Sequence, residues 1–227
     1  MTVAGPSRVF RFLRGTGPLL AATLLLPATA VAGTWNPDRA VGDVVPAWSG
    51  LRGTDGREHG WDEFAACEAL VVVFTCNGCP YATDHEARID DLATRYAAAG
   101  GRVGVVALNP NQIPEDSLEA MTKRAGERRF HFPYLADPDQ AVARSFGALR
   151  TPEFFVLDGR RRIVYMGSLD DDPEGGEPTR RYVEEAVDAL LAGRVPETAE
   201  TAPVGCLIRS ARRTRDGRRP ADRGPGR

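Results

Sequence analysis

The sequence predicts an α/β domain: a central mixed β-sheet flanked by helices, with a small hairpin ahead of it. Three observations carry that expectation. Short apolar runs at residues 71–74 (mostly β-branched), 103–108 and 154–157 are too short for helices and suit buried strands. Segments with apolar residues at helical spacing alternate with those runs, an order that makes a sheet covered on both faces. A length of 227 residues at 42% hydrophobic content is enough for one well-packed domain plus extensions.

Each element has its own local reason. Gly53-Thr54-Asp55-Gly56 is a turn signal between Leu51 and Glu58 and predicts the hairpin. Residues 61–64 (WDEF) read as one short helical turn, and residues 71–74 (VVVF) as the central strand. Pro80 suits the first turn of a helix, because its fixed φ and missing N–H fit there. Ile89, Leu92, Ala93 and Tyr96 give that helix an apolar face, and Gly100-Gly101 stops it. Residues 103–108 (VGVVAL) are a second buried strand, followed by an Asn109-Pro110-Asn111 loop. Residues 114–129 predict one helix, with Glu115, Asp116 and Glu119 early and Lys123, Arg124 and Arg128 late, as the helix dipole favours.

Residues 132–135 form a short extended piece, and residues 140–146 a helix closed by Gly147. Pro152 stands just before the run FFVL (154–157), where it removes a ladder donor; a cis bond there would turn the backbone sharply. Asp158-Gly159 is a hairpin turn leading to a partner strand over 162–167. Residues 179–191 predict an amphipathic helix with Val183, Ala186, Val187, Leu190 and Leu191 inward.

The chemistry sits at residues 71–80, VVVFTCNGCP, where a buried strand turns into a helix. Cys76 and Cys79 lie two residues apart at that junction. Unpaired N–H groups and the positive end of the helix dipole stabilise a thiolate, the reactive form of cysteine, and at Cys76 this predicts a thiol shifted below its ordinary range. A CxxC in this position points to dithiol/disulfide exchange. A zinc site would need a second CxxC or a Cys/His pair at ligand spacing, and the sequence has neither.

Charge is distributed unevenly. The first 32 residues carry three Arg and no acid, and the last 19 carry eight Arg against two Asp, leaving 18 basic and 29 acidic residues between. An acidic body argues against nucleic acid as the partner. Arg8, Arg11 and Arg14 precede an apolar core over 18–27, and Ala28, Ala30 and Ala32 offer an A-x-A cleavage site near Ala30 or Ala32. Residues 1–32 therefore read as a signal peptide, with an uncleaved anchor as the alternative. The core is short for a membrane span, so no stable insertion is expected after cleavage. Export places the protein in the periplasm or outside the cell, where disulfides form. Residues 33–208 read as one domain and residues 209–227 as an Arg-rich disordered tail.

Six segments together carry a family resemblance: Gly42, Asp43 and Pro46 at the start, FTCNGCPY (74–81), PEDS (114–117), FPYLAD (132–137), TPEFF (151–155) and PVGCLI (203–208). Over about residues 41–208 the chain resembles exported thioredoxin-like proteins of the redoxin group, a peroxiredoxin-like set that carries a thioredoxin-type CxxC. The resemblance implies a thioredoxin-like fold, Cys76 as an exposed nucleophile, Cys79 as the resolving cysteine, and Pro152 as a cis-proline facing the pair. The Thr151 backbone would then hydrogen-bond an extended partner segment.

The chain departs from that pattern in three places. Many relatives carry His at the position of Gly78. Thioredoxins carry a buried acid where this chain has Leu70. The Thr and Pro that precede a peroxidatic cysteine are missing: the places counted back from Cys79 hold Cys76 and Val72, and those from Cys76 hold Val73 and Ala69.

The resulting expectation is a thiol–disulfide oxidoreductase acting on protein thiols and disulfides, recycled by an electron donor or acceptor, with no cofactor and no resident metal. A thiol-dependent peroxidase and a copper(I) carrier using the two soft thiolates are the alternatives. His85 and Glu153 are auxiliary candidates, against an ordinary buried helix histidine and an ordinary strand glutamate. Cys206 is expected to pack structurally or relay electrons, without an obligatory bond to Cys67.

Overall fold

A computed structural model describes Met1, residues 32–98 and residues 100–210. The signal-peptide reading of 1–32 and the tail reading of 209–227 fall almost wholly outside these residues.

Five strands make the central sheet, in the order β5-β4-β3-β7-β8. Its middle strand, β3 (Ala69–Phe74), is buried along its whole length, because both its faces are covered. It runs parallel to β4 (Val103–Asn109) and antiparallel to β7 (Glu153–Asp158). Beyond these lie β5 (Tyr134–Ala136), parallel to β4, and β8 (Ile163–Gly167), antiparallel to β7. The expected hairpin is the two-stranded pair β1 (Leu51–Arg52) and β2 (Glu58–His59). It leans on the sheet through a Thr54 N–H donated to Tyr134 O.

Side-chain alternation along β3 divides the core. Ala69, Val71 and Val73 pack with α1 (Pro80–Ala98) and α4 (Tyr182–Leu191), while Leu70, Val72 and Phe74 face α3 (Ala141–Phe146). Phe74 meets Phe146 and Phe155 at ring centroid distances of 5.3 and 5.7 Å, edge to face. Each such buried ring stabilises by about 1.5–3 kcal/mol. This aromatic cluster anchors the C-terminal end of β3, the end that carries the cysteines.

The single helix expected over 114–129 is two pieces. A 3-10 turn (Pro114–Asp116) is followed by Ser117 in an extended conformation, then by α2 (Leu118–Arg128). Ser117 accepts the Ala120 N–H with its side chain, and a cap of this kind starts a new helix. The break leaves Asp116 buried instead of on a solvent face. The hydrophobic pattern did not reveal one further pair: β6 (Arg150–Thr151) lies antiparallel to β9 (Cys206–Leu207), near the C-terminus.

Candidate active site

The site forms where β3 stops. Thr75 still donates its N–H to Leu108 O at 2.9 Å, and residues 76–79 then swing into α1. That helix starts at Pro80, where no N–H is needed. Facing this turn is the Thr151–Pro152 peptide, which is cis. Thr151 meets both sulfurs: its hydroxyl lies 3.2 Å from Cys76 Sγ, and its carbonyl oxygen lies 3.1 Å from Cys79 Sγ, accepting from it while that sulfur carries its proton.

Both cysteines are reduced thiols and nearly inaccessible, at 2% exposure for Cys76 and 1% for Cys79. The expectation of an exposed Cys76 is therefore corrected. The sulfurs pack with Ala82 under the side chain of Cys206.

The two thiols shift each other in opposite directions. Donation from Cys76 pulls Cys79 down to about 5 against the opposing effect of burial, helped by the Cys206 thiol and the backbone N–H groups of Ala82 and Cys206. The same interaction with Cys79 pushes Cys76 well above an ordinary thiol; burial and the charge of Asp116 push the same way, and the Thr151 hydroxyl partly opposes them. The helix-start effect expected at Cys76 thus falls on Cys79, because the first-turn Ala82 N–H reaches the second sulfur. Moving one proton from Cys76 to Cys79 transfers the charge to Cys76, so the pair holds one thiolate that either sulfur can carry.

A polar network supports the turn from behind. The Asn77 N–H donates to Asp116 Oδ1 at 2.6 Å, and Asn109 and Asn111 donate to the two oxygens of the same carboxylate, each at 2.9 Å. The Tyr134 hydroxyl donates to Asn77 Oδ1. Asp116 thus brings a buried acid to the pair from a different element than the one Leu70 occupies. Sequence reasoning placed Asp116 only among the early helix acids; its membership of the PEDS segment was the available signal.

The auxiliary candidates are occupied elsewhere. Glu153 is 3% exposed, and its carboxylate accepts the backbone N–H groups of Leu149 and Arg150 at 2.9 and 3.0 Å. Burial raises its pKa. It shapes the loop that presents Thr151. His85 is buried behind Pro152, with Nδ1 bonded to Tyr81 O and Nε2 beside Arg88. Burial lowers its pKa, with the Arg88 charge adding to the effect. Cys67 precedes β3 and Cys76 follows it, so the six strand residues between hold them roughly 20 Å apart. Cys206, beside Cys79, is correspondingly far from Cys67, and both are free thiols.

The model of the Redoxin family matches residues 40–186. A hypothetical protein from Sinorhizobium meliloti 1021 is 34% identical, with 78% of this chain and 97% of that one covered at a TM-score of 0.70. An uncharacterized conserved protein from Geobacillus kaustophilus is 36% identical, covering 75% and 92% at a TM-score of 0.69. The peroxidoxin BcpB of Mycobacterium tuberculosis, at 23% identity and TM-score 0.53 over 68% and 97%, shares the thioredoxin-like fold. Among curated proteins the comparison finds no match.

Proposed function

Because the chain belongs to the Redoxin family, we propose that it is a thiol–disulfide oxidoreductase using Cys76 and Cys79 on exported protein partners. The observation that carries this reading is the pair of buried thiols two residues apart, both within 3.2 Å of Thr151 beside the cis-proline. Two adjacent sulfurs with one thiolate between them are what stepwise exchange needs.

In the cycle, the Cys76 thiolate attacks a partner disulfide. The partner's S–S bond breaks, a mixed disulfide forms, and the leaving thiolate takes up a proton. Cys79 then attacks Cys76 Sγ, which closes the Cys76–Cys79 bond and releases the partner's second thiol. The enzyme loses two electrons and the partner gains them; run backwards, the same steps oxidise a dithiol. The buried Asp116 charge disfavours negative charge on Cys76, and forming the covalent adduct, in which Cys76 carries no charge, relieves that repulsion. The peroxidase reading ranks second, since the places where a peroxide-cradling Thr and Pro would stand hold Cys76, Val72, Val73 and Ala69.

The test is trapping. Cys79→Ser removes the resolving thiol and should accumulate mixed disulfides with partner proteins in the exported fraction, lost again when Cys76→Ser is added. Absence of any adduct, with retention of one copper(I) per chain by the wild type, would favour the carrier alternative.

A further inference from the structure

The backbone edge beside the cis-proline is already filled by the protein's own C-terminal segment. Thr151 stands opposite Cys206, and Arg150 opposite Leu207, in the antiparallel β6–β9 pair. The Ile208 N–H donates to Leu149 O at 2.9 Å, and the Arg150 guanidinium donates to Gly205 O at 2.7 Å. Further along, the Arg209 N–H donates to Asn111 Oδ1 at 2.8 Å. The segment is therefore pinned on both sides of the site. Gly205 permits this approach: a Cβ there would lie 2.1 Å from the Thr151 carbonyl oxygen, well inside contact distance. A cysteine follows that glycine, and its side chain packs onto Cys76, Cys79 and Ala82. Cys206 thus occupies the edge position that an extended partner segment would take, with its sulfur turned to the reactive pair.

We propose that Cys206 is a third redox thiol of this site and exchanges with Cys79, giving a second oxidised form with a Cys79–Cys206 disulfide. The proposal rests on the dithiol reading above. In the step itself, the Cys206 thiolate attacks Cys79 Sγ of the Cys76–Cys79 disulfide. The Cys79–Cys206 bond forms, the Cys76–Cys79 bond breaks, and Cys76 leaves as a thiolate that takes a proton. No electrons are gained or lost overall. Cys206 packs against the pair, and its thiol and backbone N–H are among the groups that hold the Cys79 pKa down, so Cys79 is the sulfur it addresses. Cys206 itself is held up to about 11, by burial first and then by its contact with Cys79, so it waits as a thiol until the Cys79 charge is used in a disulfide. In the second oxidised form Cys76 is free to engage a new partner while the oxidising equivalent stays in the chain.

The experiment is disulfide mapping of the full-length chain in a glutathione redox buffer, on the wild type, Cys76→Ser, Cys206→Ser, Cys206→Ala and the control Cys67→Ser. Cys76→Ser is expected to form a Cys79–Cys206 bond in most chains, with Cys67 left as a thiol. In the oxidised wild type, a minor fraction of Cys76 should remain alkylatable, and this fraction should vanish in both Cys206 variants and persist in Cys67→Ser. Cys79 found only as a thiol or glutathione adduct in Cys76→Ser, or free Cys76 at wild-type levels in the Cys206 variants, overturns the proposal. The dithiol reading is judged separately, by whether the wild type forms Cys76–Cys79 at all.

Discussion

The Asn77 backbone N–H donates to the Asp116 carboxylate across 2.6 Å, so an acid from a neighbouring turn holds the dipeptide between the two cysteines. Asp116→Asn removes a charge that disfavours the Cys76 thiolate. The midpoint for Cys76 alkylation should therefore move to lower pH. The same change leaves one of the three donors without an acceptor, at a cost of about 1–3 kcal/mol. Alkylation rate against pH and a denaturant melt read the two effects separately. An unmoved midpoint would remove Asp116 from the electrostatics of the pair.

Reduced protein should have a bell-shaped stability profile. Cys79 is depressed to about 5 in the fold, while an unfolded thiol titrates at about 8.5. Between those values the unfolded chain binds more protons, so stability rises with pH and is lost as pH falls through about 5. Cys76 and Cys206 are raised, so above about 8.5 the unfolded chain loses protons that the folded one keeps, and stability falls again. Disulfide formation between Cys76 and Cys79 removes both groups from titration. Thermal melts from pH 4 to pH 10 on reduced and oxidised protein should show the rise from the acid side only in the reduced form.

Glu153 separates a loop-shaping role from acid catalysis. Both of its backbone bonds go to one carboxylate oxygen, which Glu153→Gln keeps and Glu153→Ala removes. The Ala variant should lose about 1–3 kcal/mol for each orphaned N–H, with exchange activity falling as the Thr151 loop loosens. The Gln variant should keep activity. Burial raises the folded pKa of Glu153, so the native carboxylate loses stability as pH rises from the ordinary carboxylate range through that raised value. Glu153→Gln should lack this loss. Inactivity of a well-folded Gln variant would instead make Glu153 a catalytic acid.

Substrate preference follows from what stands around the cysteines. With no peroxide-cradling Thr or Pro at the required positions, reduced protein should consume a protein disulfide far faster than hydrogen peroxide. Stopped-flow comparison at equal substrate concentration measures this. A faster peroxide reaction would reverse the ranking.

The central sheet was legible because β3, β4 and β7 are short apolar runs bounded by turn residues, a local pattern that strand burial imposes. The cysteine pair was legible through spacing; the cis-proline was only one option from its place at a strand start, and it was the family resemblance that implied it. The break at Ser117 was not, since a helix dipole pattern of early acids and late bases is indifferent to one extended residue in its midst. The β6–β9 pair was also hidden: two-residue strands carry no periodicity, and their pairing joins positions more than fifty residues apart. The depth of Cys76 could not be read from spacing, because it depends on how Thr151 and the last segment fold over the site; the Ala82 N–H on Cys79 is a local first-turn contact that the cap position of Cys79 could have suggested.

The most direct test of the account is a redox titration of the wild type in dithiothreitol buffers, read by mass after thiol alkylation and by disulfide mapping. The expected result is one reversible two-electron transition whose principal product links Cys76 to Cys79, and which is absent from Cys79→Ser. Four alkylated cysteines per chain across the whole range of potentials, or an oxidised form in which Cys79 takes no part, would contradict it.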